Sequence, residues 1–123
     1  MATASKTTPT EVFDQGPVEA RTTKLDSGYT VDWVTFREEV DMAPILASLP
    51  DGRCACPHWG QVLSGGILVH YDGSDERVEV GQAFHMTPGH VPVFDAGTEV
   101  LMFSPTDELA ATDAAIQAAM AGT

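Results

Sequence analysis

Between Cys54 and Pro92 the chain never runs more than seven residues without a glycine or a proline. That spacing leaves no room for a long helix, because each glycine or proline ends a regular element or bends it. The segments left between these breaks are short, rich in Val, Ile, Phe and Tyr, and alternate apolar with polar, which is the period of a strand. Gln61–Ser64 and Ile67–Tyr71 read as strands around Gly65-Gly66. Asp72-Gly73-Ser74-Asp75 reads as a hairpin turn, returning through Val78 and Val80. Ala83–Met86, Val91–Phe94 and Val100–Phe103 read as further strands, and Thr87-Pro88-Gly89 suits a type II turn.

The flanks continue the theme. Val18–Thr23 reads as an edge strand after the Gly16-Pro17 turn. Tyr29, Val31 and Trp33 alternate with Thr30, Asp32 and Val34, and Phe36 departs from that alternation, so a bulge is expected near Val34. Met42–Leu49 allows one helical turn between Pro44 and Pro50. Beyond Val100, Ser104-Pro105-Thr106-Asp107 reads as an N-cap, a proline at the first helical position and an acid in the first turn. A C-terminal helix is therefore expected from about Pro105 to Met120, with Leu109, Ile116 and Met120 on a thin apolar stripe. Three regions follow: residues 1–10 as a disordered tail, 11–104 as one β domain, and 105–123 as a helix packed on the barrel or on a partner subunit. Many short strands separated by turns indicate an all-β sandwich or barrel.

The net charge of −12, with six Lys plus Arg in 123 residues, argues against nucleic acid and against an anionic membrane surface. No apolar run approaches the roughly 20 residues of a membrane-spanning helix. The N-terminal MATASKTTPTEV lacks the apolar core of a signal peptide, and Cys54 and Cys56 are too close in sequence to form an easy mutual disulfide. Free thiols imply a reducing compartment, so a cytoplasmic protein is expected.

The same Cys54–Pro92 stretch holds both cysteines and all four histidines, His58, His70, His85 and His90. Cys54, Cys56 and His58 are spaced two apart. On a straight strand Cys54 and His58 would lie roughly 13 Å apart, too far to share an ion, unless Pro57 bends the chain. His58 is a metal ligand or general acid/base, or else a buried histidine satisfied by backbone. His90 follows a tight turn and is a ligand or a turn anchor. Free Cys is often a small buried hydrophobe, so each thiol is a ligand or plain core. His85 faces the interior or solvent according to register, His70 faces solvent, and Trp59 and Phe94 read as core. Glu38-Glu39 and Asp75-Glu76 read as solvated surface, and Glu99 is left unassigned.

Gly52 to Pro92 resembles the cupin superfamily, in particular its small single-domain bacterial members. In the first cupin motif Cys54 falls at the second histidine, His58 at the glutamate and Gly65 at the closing glycine. In the second, Gly81 and Gly89 fit the spacing, with Pro88 one place late. Gly52 and Pro92 occupy the other two ligand positions, and Cys56 and His90 lie two residues from Cys54 and Pro92. A shift of two keeps a strand side chain on the same face, so the resemblance implies a rearranged site. It implies a double-stranded β-helix, or jelly-roll barrel, with a short C-terminal helix. It also implies one divalent metal held by His58, His90, Cys54 or Cys56, a small-molecule ligand or substrate, and a homodimer. Mixed imidazole and thiolate ligation favours zinc or ferrous iron. The implied activity is that of a metal-dependent oxygenase, isomerase or lyase on a small organic acid, sugar-like molecule or natural-product intermediate. The alternative is a non-catalytic barrel that binds a small ligand or holds a structural metal.

Overall fold

The computed structural model describes residues 1–121, with side chains through residue 118. Among these, the strands are β1 (Glu11–Gln15), β2 (Val18–Lys24), β3 (Tyr29–Phe36), β4 (Val40–Asp41), β5 (His58–Ser64), β6 (Gly66–Tyr71), β7 (Ser74–Glu79), β8 (Ala83–Met86), β9 (Val91–Phe94) and β10 (Thr98–Pro105). A short helix α1 (Ala43–Leu46) follows β4, and α2 (Thr106–Ala121) follows β10. No helix among the described residues is long and apolar enough to cross a membrane.

The strands form two antiparallel sheets, ordered β1-β2-β3-β10-β5-β8 and β4-β9-β6-β7. From β8 onward each strand lies in the opposite sheet to its predecessor, so the chain winds around one interior as a jelly roll. Val34, Phe36, Val62 and Val100 from the larger sheet meet Ile67, Val69, Val78 and Phe94 from the smaller one. Phe36 and Phe94 stack across the gap, with ring centroids 4.0 Å apart. These are alternate residues of their strands, so burial of one face selects the register.

Gly65 makes the crossing from β5 to β6 with φ of +75°, a conformation disfavoured for any residue with a Cβ. A Cβ there would also press on Thr98, whose Cα lies 2.6 Å from that position. The Thr98 hydroxyl is itself committed, donating to the Gly66 carbonyl and accepting from the Gly66 amide. Gly65→Ala is therefore expected to destabilise the protein by about 3 kcal/mol, combining left-handed backbone strain with overpacking. Urea unfolding measures this, and a loss well under about 1 kcal/mol would mean that Thr98 yields freely.

Several sequence expectations change in the folded chain. Val18–Lys24 is not an edge strand, because β1 pairs along its outer side. β3 runs without a bulge near Val34; the irregularity lies between Glu99 and Val100, where β10 meets β5. Phe36 simply shares the inward phase of Val34. Pro105 ends β10 opposite Tyr29 instead of starting the helix, and Ser104 is a buried strand residue instead of a cap. Trp59 is 37% exposed on the outer face of the larger sheet, where it stacks on His85.

His85 thus faces outward, and His70 bonds Asp75 at the surface. Glu99 pairs with Lys6, and Arg21 donates to the Lys6 carbonyl, so the segment before β1 contacts β2 and β10. On α2, Leu109 and Ile116 pack against Leu46, Cys54, Cys56 and Val91. The side chain of Met120, expected on the same stripe, lies outside the described residues.

Candidate metal centre

One end of the barrel gathers Cys54, His58 and His90, and one ligand atom from each lies within 4.8 Å of the others. Their elements explain the convergence. His58 opens β5 opposite Met86 of β8, with its side chain turned inward. His90 stands immediately before β9. Cys54 is outside any strand but forms an antiparallel bridge to His90, its amide donating to the His90 carbonyl while Gly89 N–H donates to the Cys54 carbonyl. Arg53 also donates to the Gly89 carbonyl at 3.0 Å. The chain between Cys54 and His58 is therefore not one straight strand, and the separation that extended geometry demanded does not arise.

The imidazoles are oriented by their second nitrogens. His90 Nδ1 lies 2.7 Å from the Thr87 carbonyl, an acceptor only, so Nδ1 carries the proton and Nε2 the lone pair. His58 Nδ1 lies 2.6 Å from the Ser104 hydroxyl, which leaves Nε2 as its free nitrogen. Such outer hydrogen bonds hold a ligating histidine in one tautomer and rotamer. Ser104 went unread as a site residue because the Ser-Pro-Thr-Asp string is a good helix-start signal. The informative signal was strand phase: Val100, Met102 and Ser104 alternate on the inward face, and Phe103 opposite Trp59 puts Ser104 beside His58.

Burial decides the protonation states. Desolvation, reinforced by the neighbouring His90, pushes the His58 pKa down to about 3. Burial lowers that of His90 too, opposed by the Thr87 hydrogen bond. The Cys54 thiol is raised by burial, with its bond to the Cys56 carbonyl opposing. Cys56 is pushed up to about 12, first by burial and then by the charges of Cys54, Glu108 and Asp113. Cys56 is only 1% exposed, bonds toward the Pro57 carbonyl, and stands outside the three-residue cluster. The site thus offers two neutral imidazoles, each with Nε2 free of protein partners, and one thiol. This donor set suits a divalent metal of intermediate softness.

A cavity of about 760 Å³ opens beside the cluster. Val34, Phe36, Met86, Phe94 and Met102 line its depth; Phe13 and Gln15 of β1, Ile45 of α1, and Leu109, Thr112, Asp113 and Ile116 of α2 surround its mouth. Sequence reading missed α2 as a wall of this cavity, and a weakly amphipathic Ala-rich helix gives little signal of what it covers.

No family model matches the chain. No curated protein matches it either. Solved structures do. An RmlC-like cupin from Shewanella frigidimarina is 20% identical over 77% of this chain and 83% of its own, with a TM-score of 0.53. A conserved protein of unknown function from Streptococcus pyogenes is 18% identical over 85% and 95%, with a TM-score of 0.54. KdgF from a Halomonas species is 14% identical over 77% and 86%, with a TM-score of 0.50. With two antiparallel sheets wound as a jelly roll and one C-terminal helix, the chain is a small protein of the cupin fold.

Proposed function

We propose that Cys54, His58 and His90 bind one divalent metal ion, zinc or ferrous iron, and that the protein is a metal-dependent enzyme acting on a small molecule held in the adjoining cavity. The observation that carries this reading is the convergence of two neutral imidazoles and a thiol within 4.8 Å at the wall of a cavity. Three protein donors leave a coordination position open, which is the pattern of catalytic rather than structural sites. A metal there would supply Lewis acidity or, as ferrous iron, oxygen chemistry. Ser104 and the Thr87 carbonyl would hold the imidazoles in place, and the apolar wall would exclude water around a bound substrate. That wall favours a natural-product-like molecule over a sugar or a small organic acid, because burying their polar groups unpaired is costly. The homodimer implied by the cupin resemblance would cover the exposed Tyr29, Trp59 and Phe103 on the outer face of the larger sheet.

Both cysteines are buried, at 6% and 1% exposure, so thiol titration reports burial as much as ligation. Cobalt substitution separates the two. The cobalt protein is expected to show a thiolate-to-metal charge-transfer band and a d–d spectrum of low coordination number. Cys54→Ser should abolish the band, and Cys56→Ala should keep it. A protein that takes up no cobalt, or a band lost with Cys56 and kept without Cys54, defeats the assignment.

A further inference from the structure

The cavity beside the cluster contains an electrostatic asymmetry. Among the described residues that line it, Asp113 is the sole Asp, Glu, Lys or Arg. All six basic side chains of the protein are engaged elsewhere. Lys6 pairs with Glu99, Arg21 with Glu19, Lys24 with Glu11, Arg37 with Asp14 and Glu19, and Arg77 with Glu79 and Asp95. Arg53 is spent on the Gly89 carbonyl. No Lys or Arg side chain among the described residues lines the cavity to neutralise an anionic ligand there.

Asp113 stands on α2 at the mouth, with one side in solvent and its carboxyl desolvated enough to raise its pKa. It is close enough to Cys54 and Cys56 for its charge to raise both thiols, and close enough to Asp32 to oppose its ionisation. Asp32 has a partner in the Thr22 hydroxyl at 2.5 Å. Asp113 makes no hydrogen bond or ion pair with any described side chain. Water solvates this carboxylate while the mouth is open. A ligand that covers it without a cation would leave it desolvated and unpaired, and one that brings a cationic donor gains a charge-assisted hydrogen bond. Such a donor has to come with the ligand.

We propose that the cavity selects an amine, with the ammonium group paired to Asp113 at the mouth and an apolar body extending between Phe36, Met86, Phe94 and Met102. This rests on the reading of the cavity as the substrate site and names the class of substrate it takes. The surface potential of a protein with net charge −12 favours the approach of the same class. Asp113 is a specificity residue, because it would touch the ligand and is not one of the proposed metal donors.

The test uses three matched probes, 4-phenylbutylamine, 4-phenylbutanol and 4-phenylbutanoate, titrated calorimetrically into the full-length protein. A bound metal attracts anions by itself, so the series is run on both chelator-treated and zinc-loaded protein. In chelator-treated protein the amine is expected to bind about tenfold or more tighter than the alcohol, with the carboxylate weakest. Asp113→Asn should abolish the amine's advantage over the alcohol. An amine no tighter than the alcohol, an advantage that survives Asp113→Asn, or no amine binding at millimolar concentration would each overturn the proposal. Metal content measured on the same samples keeps the two readings apart. Discrimination dependent on Asp113 in a protein that takes up no zinc defeats only the metal site. Zinc uptake without that discrimination defeats only the amine.

Discussion

His58→Ala and His90→Ala are each expected to strip the protein of its metal, as measured by elemental analysis after purification and dialysis. The double variant should lose little more than either single one. That non-additivity follows from a shared ion: with Cys54, His58 and His90 as its protein ligands, two remaining donors no longer hold it. His70→Ala is the control, since His70 bonds Asp75 at the surface and should leave metal content unchanged. Ser104→Ala removes no ligand but frees the His58 ring, and outer-shell losses of this kind lower metal affinity by about 10–100-fold. Circular dichroism guards against unfolding, because each variant leaves the two sheets intact in composition. Full metal content in both histidine variants would show that the ion, if bound, is held elsewhere.

The metal-free protein should lose stability steeply as pH falls below neutrality. His58 in the native state resists protonation until about pH 3. In the unfolded chain the same imidazole protonates near its ordinary value of about 6.5. Between those values the unfolded state holds the extra proton, so acid favours unfolding. The stability is fully present above the unfolded value and is lost as pH falls toward the folded one. The slope is about 1.4 kcal/mol per pH unit and the whole interval is worth roughly 5 kcal/mol, a large share of a domain's stability. His90 acts in the same direction, since burial lowers its pKa as well. Asp32 and Asp113 act oppositely, because their raised values make the native state the better proton acceptor. Urea midpoints for wild type and His58→Leu, both chelator-treated, isolate the His58 part between about pH 7.5 and pH 5. Equal pH dependence in the two proteins would mean that His58 is solvated and titrates normally.

Local chemistry was enough to locate most of the elements. Ala83–Met86 and Val91–Phe94 are strands at the expected residues because alternation and flanking turns are properties of adjacent residues. The Asp72-Gly73 turn, the single helical turn confined by Pro44, and the C-terminal helix follow from backbone preferences of the same short range. The rearranged site was an expectation of the cupin resemblance, with Cys56 two residues from Cys54 and His90 two from Pro92, a shift that keeps a strand side chain on one face. What periodicity leaves open is which face is buried and which strand lies alongside.

Trp59 is outside and Phe36 inside because β5 and β3 each pair with β10, a strand remote in sequence, and that register alone sets their phase in the core. The same pairing turned Ser104 from an apparent helix cap into the partner of His58. It was the bridge between Cys54 and His90 that overcame the distance an extended chain would impose. Asp113 reached the cavity mouth only through the docking of α2 on Leu46, Cys54, Cys56 and Val91. Each of these outcomes depends on contacts between residues dozens of positions apart. Local preference carries no information about such contacts; only simultaneous burial of the two sheets selects them.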